Sequence, residues 1–339
     1  MQFEARAKRQ AYELPRRGCN MVAIQTENLT KKFGNLCAVD SLNISVDKEI
    51  FGLLGPNGSG KTTTVLMLTT LLAQTEGSAS ICGHDISREP DKVRDCISYV
   101  PQDMAVDSNL TGRENMLIFA QLYGIKNPKD RVDELLAVME LSDRADDLAK
   151  TYSGGMRRRL ELGEALVHEP EVIFLDEPTI GLDVAARKNI WNHINALNHK
   201  GMTIFMTTHY MDEADQYCDR VGIINHGKVA ALGSPAELKS RLMKDVITVI
   251  IDGKYSPVQV EGTLFVGQSG DEISFTAGNG REALPLLADA LNHAGNKVRS
   301  MSLREPSLDD VFLQSVGKQE EPQGFEEFKF HMMIHRRGL

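Results

Sequence analysis

Short apolar runs separated by polar, glycine-bearing segments recur along most of this chain. Ile50–Leu54, Val172–Asp176 and Thr203–Thr207 have strand length, and their near-continuous hydrophobicity suits parallel strands buried on both faces. Val22–Thr26, just after Met21, reads as the opening strand. Val221–Asn225 and Val229–Leu232 flank Asn225-His226-Gly227-Lys228, which predicts strand, turn and strand. Helical spacing covers Lys61–Leu72. Between about residues 104 and 152 the strands stop, and Glu114–Leu122 and Arg131–Glu140 read as helices. The pattern predicts an α/β domain over 21–243 with a helical insertion.

After Arg241 the pattern changes. Val246–Ile251, Thr263–Val266, Glu272–Thr276 and Lys297–Leu303 predict strands, with a turn at Gln268-Ser269-Gly270. Arg281–Ala294 predicts a helix, and Ser307–Val316 a shorter one with Ser307 as its N-cap. Residues 244–316 therefore read as a separate small α/β module. Residues 1–20 form a basic extension and 317–339 a tail that turns from acidic to basic; both are expected to be disordered.

Composition narrows the class. The chain has 339 residues, 42% hydrophobic and 25% charged, as in an ordinary globular protein. A net charge of −9 argues against a nucleic-acid partner, since phosphate neutralisation needs concentrated Lys and Arg. The five cysteines lack any Cys-x-x-Cys pair, a pattern of free thiols rather than of a zinc site or a disulfide framework. No run approaches the ~18 apolar residues of a membrane span, so any membrane-spanning part is expected to belong to a partner.

The chemistry begins at Gly55-Pro56-Asn57-Gly58-Ser59-Gly60-Lys61-Thr62, which fits G-x-x-x-x-G-K-[ST] between a strand and a helix. A nucleoside triphosphate brings several negative charges. Glycines let successive backbone N–H groups curl around them, and the helix adds its positive N-terminal end. Lys61 supplies a cation for the outer phosphates, the Thr62 hydroxyl suits a magnesium ion, and Thr63 follows in the same binding loop. Val172–Leu175 ends in Asp176 and Glu177, adjacent carboxylates that are costly at the end of a buried strand unless cations engage them. Adjacent strand residues point to opposite faces, so the pair is expected to diverge: Asp176 to the magnesium shell, Glu177 to the water that attacks the γ-phosphate.

Ser153-Gly154-Gly155-Met156 follows Tyr152 and opens a helix bearing Leu160, Gly163 and Val167. With these motifs in order, the chain resembles the ABC transporter ATPases, whose signature typically reads Leu-Ser-Gly-Gly-Gln. The form Tyr-Ser-Gly-Gly-Met-Arg-Arg-Arg resembles the daunorubicin-type drug-resistance exporter branch, as does Arg304-Glu-Pro-Ser-Leu-Asp-Asp-Val-Phe312. The resemblance spans about residues 22–316 and implies an α/β P-loop NTPase cassette: a mixed β core, a helical subdomain and the small C-terminal α/β module.

By that resemblance Phe33 stacks on adenine, and Gln102 is the glutamine that reaches the metal and links the site to the helical subdomain. Asp183, in Gly181-Leu-Asp183, contacts the opposite protomer, and His209 contacts the γ-phosphate. Ser153, Gly154 and Gly155 cap the ATP held by the other copy, which implies an ATP-dependent head-to-tail homodimer, or a pair with a paralogous ATPase subunit. The implied function is magnesium-dependent ATP hydrolysis that drives export through a separate integral-membrane permease, at the cytoplasmic face of the cell membrane. An importer subunit and a soluble non-transport ABC ATPase are the alternatives. A GTPase is disfavoured by the lack of Asn-Lys-x-Asp.

Overall fold

A computed structural model of the chain describes residues 22–241, 245–253, 255–304 and 306–316. The N-terminal extension and the C-terminal tail lie outside the described residues. The chain divides into two compact units between Leu232 and Gly233.

The first unit runs β1 (Ile24–Phe33), β2 (Leu36–Leu42), β3 (Ser45–Val46), β4 (Ile50–Leu54), α1 (Lys61–Leu68), β5 (Glu76–Ile81), β6 (His84–Asp85), α2 (Pro90–Cys96) and β7 (Ile97–Val100). It continues with α3 (Gly112–Leu122), α4 (Pro128–Val138), α5 (Gly154–Ala165), β8 (Val172–Asp176), α6 (Val184–Asn198), β9 (Thr203–Thr208), α7 (Met211–Tyr217), β10 (Arg220–Asn225) and β11 (Lys228–Gly233). One sheet has the order β11-β10-β4-β9-β8-β7. Its β10–β4, β4–β9, β9–β8 and β8–β7 pairs are parallel, which needs the helical crossovers the chain supplies. Strands β4, β8 and β9 are buried along their whole length, as their unbroken hydrophobicity requires. Phe205 on β9 lies 5.4 Å from both Phe51 on β4 and Phe174 on β8, centroid to centroid, so the three rings fill the middle of that sheet.

The sequence pattern understates the second sheet. Here β1 runs ten residues, to Phe33, and pairs antiparallel with β2, β3 and β5. Polar residues dominate the far half of β1, which is why the pattern reads only Val22–Thr26 as strand. Ile24, Leu29, Val46 and Ile81 of this sheet share one core with Phe51, Val65 and Phe174. Helix α1 also ends earlier than the spacing predicts. Thr69 closes it and Thr70 takes a left-handed φ of 63°, so Leu71 and Leu72 donate back to Leu66 O outside the helix.

Between β7 and α5 lie two α-helices, α3 and α4. Thr111 caps α3 in a reciprocal capping box with Glu114, α4 starts on Pro128, and both helices pack on α5.

The second unit contains α8 (Pro235–Arg241), β12 (Asp245–Asp252), β13 (Thr263–Ser269), β14 (Glu272–Ala277), α9 (Gly280–His293), β15 (Lys297–Arg304) and α10 (Leu308–Val316). Its antiparallel sheet has the order β13-β14-β12-β15, and α9 covers one face through Ala283, Leu287 and Leu291 against Ile247, Val249, Ile273 and Phe275. Strand β13 continues through Ser269, and the turn falls at Gly270, where φ is 59°, rather than over 268–270. The Ser307–Phe312 segment is a cap: Ser307 N donates to Asp310 Oδ2 at 2.9 Å, and Arg304 pairs with Asp310. Helix α8 packs on α10, so the break between the units precedes α8 rather than following it.

Candidate active site

The loop between β4 and α1 is shaped by backbone that only glycine tolerates. Gly60 has φ 108°, and a Cβ there would overlap the carbonyl oxygen of Ala38 on β2. A Cβ on Gly55 would overlap Ile224 O. The loop is thus pressed between β2 and β10, with its N–H groups at the mouth of α1. Ser59 is 3% exposed and its hydroxyl oxygen has no hydrogen-bond partner among the described residues. A buried unpaired hydroxyl is costly unless a ligand engages it, which fits a phosphate in this loop.

Lys61 is 6% exposed, and its ammonium donates to Gly55 O at 2.8 Å and Pro56 O at 3.1 Å. The third neighbour is Glu177 Oε1, at 3.7 Å. Burial pulls the Lys61 pKa below its ordinary value, against the opposing charges of Glu177 and Asp176. Glu177 Oε2 meets His209 Nδ1 at 2.7 Å. Burial pushes the Glu177 carboxyl up, but the His209 ring and the Lys61 ammonium together outweigh it and hold the pKa below its usual value.

Strand alternation does not account for the divergence of the two carboxylates. Asp176 is the last residue of β8, whereas Glu177 has left the strand with φ 49°. Its backbone N–H donates to Thr207 O at 3.1 Å and to Thr207 Oγ1 at 3.2 Å, and the same hydroxyl donates to Asp176 Oδ1. Thr207 thereby sets both acidic residues, a role its place two residues before His209 hints at only in retrospect. Tyr99, on β7, is pushed up to about 12 by burial, with the Asp176 charge adding to the effect.

The structure brings Lys61, Asp176, Glu177 and His209 to one end of the parallel sheet. Thr62 and Thr63 begin α1 beside them, and Gln102 is exposed in the segment after β7. Phe33 is half-exposed at the end of β1, with the Lys31 ammonium 5.0 Å from its ring centroid. The hairpin it ends continues into β2, which abuts Gly60.

Ser153, Gly154, Gly155 and Asp183 gather elsewhere. Ser153 Oγ caps α5 by accepting from Met156 N at 3.2 Å, and Asp183 Oδ1 caps α6 by accepting from Ala186 N at 2.9 Å. A Cβ on Gly155 would lie 2.8 Å from Ala186 Cβ, and one on Gly154 would lie 3.4 Å from Leu182. The signature glycines and the Gly181–Asp183 turn therefore form one surface. Among the described residues no hydrogen bond or ion pair joins that surface to the Gly55–Thr63 loop.

A parallel sheet with a phosphate loop at the end of one strand, acidic residues ending another and a histidine ending a third defines a P-loop ATPase cassette. Family models place it further: one described as ABC transporter matches residues 39–180, and one described as ATP-binding protein DrrA1-3-like, C-terminal domain, matches 233–316. The daunorubicin/doxorubicin resistance ATP-binding protein DrrA of Streptomyces peucetius is 40% identical over 316 residues, covering 90% of this chain and 96% of that one. The linearmycin resistance ATP-binding protein LnrL of Bacillus subtilis is 36% identical over 307 residues, 87% of this chain and 98% of that one. The chain belongs to the ATP-binding proteins of ABC transporters, a family that binds and hydrolyses ATP.

Solved structures agree on the fold. The ATP-binding subunit of an ABC transporter superposes with a TM-score of 0.59 at 27% identity, over 66% of this chain and 93% of that one. A dimeric post-hydrolysis structure of an ATP-binding cassette bound to ADP and Pi superposes with a TM-score of 0.57 at 26% identity, over 62% of this chain and 98% of that one. Among the described residues no helix is long and apolar enough to cross a membrane.

Proposed function

We propose that the chain is the magnesium-dependent ATPase subunit of an exporter, working at the cytoplasmic face of the membrane as a head-to-tail pair beside an integral-membrane permease. The observation that carries this reading is the separation of two phosphate-binding surfaces. The Gly55–Thr63 loop, Lys61, Glu177 and His209 form one, while Ser153, Gly154 and Gly155 face outward with Asp183 at the other. A second copy facing head to tail would bring the signature surface of one chain onto the phosphate loop of the other and complete two sites. The drug-resistance ATP-binding relatives support export, and the dimeric cassette bound to ADP and Pi supports the pairing.

In this reading the loop amides and Ser59 bind the phosphates, Lys61 neutralises the outer ones, and Phe33 stacks on the base. Glu177, kept ionised by His209 and Lys61, accepts a proton from and orients the attacking water. His209 holds that carboxylate and reaches the γ-phosphate. Thr62, Asp176 and Gln102 supply hard oxygen donors that fit a magnesium ion bound with the nucleotide. The ion's chemistry would be to neutralise charge on the β- and γ-oxygens.

The test is magnesium-dependent ATPase activity of the wild type and Glu177→Gln, with size-exclusion chromatography in ATP. Turnover by the wild type, lost on adding a chelator, and an inactive ATP-stabilised dimer for Glu177→Gln are expected. Full turnover by Glu177→Gln, or a rate per subunit that holds constant into clearly monomeric dilutions, would overturn the reading.

A further inference from the structure

Helix α5 carries the signature residues at its N-terminus, yet its most engaged side chain lies one turn further along. Arg158 is 2% exposed, and every N–H of its guanidinium has a partner. Nε donates to Pro178 O at 2.9 Å. One terminal nitrogen donates to Pro101 O at 2.8 Å and to Glu161 Oε2 at 2.9 Å; the other donates to Asp176 O at 3.2 Å and Glu177 O at 3.3 Å. Glu161, 4% exposed, accepts from Ala105 N at 2.7 Å through its other oxygen.

These partners fall in two places. Asp176, Glu177 and Pro178 form the turn that ends β8, and Pro101 and Ala105 bracket Gln102. The guanidinium is a planar fork whose charge-assisted hydrogen bonds fix direction as well as distance. Glu177 needs such restraint, because a non-glycine at φ 49° persists only where its surroundings impose it. Thr207 holds the N–H side of that residue, and Arg158 holds its carbonyl side.

We propose that Arg158, anchored by Glu161, is a positioning residue for ATP hydrolysis. It keeps the turn bearing Asp176 and Glu177, and the segment bearing Gln102, in register with the signature helix. Groups from three parts of the chain then meet the nucleotide as one unit. With its N–H groups taken up within the protein, Arg158 acts through those elements, and its role rests on the assignment of Glu177 and Gln102 made above.

The test uses the full chain, with steady-state magnesium ATPase kinetics and equilibrium binding of a fluorescent non-hydrolysable ATP analogue. The variants are R158Q, R158K and the pair R158M/E161M, the last leaving no buried charge unpartnered. A fall in kcat of about 10²-fold is expected for R158Q and for the pair, the scale of a roughly 1 Å misplacement. Analogue affinity should stay near the wild-type value. R158K, which keeps a charge against Glu161 but not the fork, should fall between. Thermal melts report folding, and where R158Q does not fold the pair decides. Wild-type kcat in a folded R158Q or R158M/E161M, with E177Q inactive, overturns the proposal and leaves the site reading standing. Turnover retained by E177Q means the site reading itself has failed. Loss of analogue affinity in step with kcat also overturns the proposal, because Arg158 would then serve binding or the general fold.

Discussion

Glu177 Oε2 lies 2.7 Å from His209 Nδ1, while Glu177 Oε1 faces the Lys61 ammonium at 3.7 Å. One carboxylate is thus held between a strand-end imidazole and the lysine of the Gly55–Thr63 loop. Burial alone would favour its protonated form, so the hydrogen bond from the His209 ring and the nearby Lys61 ammonium decide its charge.

That balance sets a pH dependence. In His209→Ala, burial is opposed by Lys61 alone, and the Glu177 pKa rises. The acid limb of the turnover–pH profile should move to higher pH, on a residual rate lowered by about 10²-fold or more. An unmoved acid limb would show that His209 does not govern the carboxylate. The linked stability has the same sign. With a depressed folded-state pKa, Glu177 contributes stability above the ordinary carboxylate range, and the contribution is lost as pH falls through the folded value.

Glu164 on α5 has the opposite linkage. It is buried, one carboxyl oxygen has no hydrogen-bond partner among the described residues, and it lines a pocket with Tyr99, Phe119 and Tyr123. Burial, with help from the Glu161 charge, pushes its pKa up to about 8. The folded protein then binds a proton that the unfolded chain releases above the ordinary Glu range. Stability should decline as pH rises from there to about 8, with a slope of at most about 1.4 kcal/mol per pH unit. Glu164→Gln should flatten that slope and raise the melting temperature at pH 8 more than at pH 5. Equal changes at both pH values would refute the linkage.

The signature glycines differ in how much room they have. Gly155→Ala places a methyl 2.8 Å from Ala186 Cβ and forces α5 away from the start of α6, an overpacking cost of about 1–3 kcal/mol. Gly154→Ala meets only Leu182 Cδ2, at 3.4 Å, and should destabilise less. Denaturant midpoints of the two variants give the comparison directly, and the reverse order would mean that the two helices do not pack this way.

Tyr152 stands where the broad family has leucine. It is buried, and its hydroxyl donates to Arg144 O at 2.5 Å while filling the space that a side chain at Gly112 would need. Tyr152→Phe should cost about 1 kcal/mol of stability, the net worth of one hydrogen bond, and leave ATP affinity unchanged. A large loss of affinity with unchanged stability would instead place Tyr152 at the nucleotide.

Much of this was legible in residue order. The all-apolar strands, the glycine loop before Lys61 and the paired acids at a strand end follow from local chemistry that has few other solutions. The antiparallel sheet was less so, because β1 ends in Lys31, Lys32 and Phe33, a polar and exposed stretch where alternation breaks down. The end of α1 is not legible, because Leu71 and Leu72 extend a helical spacing that the left-handed Thr70 interrupts. The position of the turn after β13 is blurred in the sequence, because Gln268 and Ser269 are polar like a turn yet belong to the strand before Gly270.

By itself, the sequence determined which groups are available to the chemistry: a lysine after a glycine loop, two carboxylates, a strand-end histidine and a serine-capped glycine pair. Each is a local pattern of period, charge and backbone freedom, so it survives in a linear reading. Only the tertiary structure decided that Glu177 sits between His209 and Lys61, that Thr207 orients both acids, and that Arg158 ties the acidic turn and the Gln102 segment to α5. Those relations join residues on different strands and helices, and their energies depend on burial and angle. Neither quantity exists until the parallel strands are side by side.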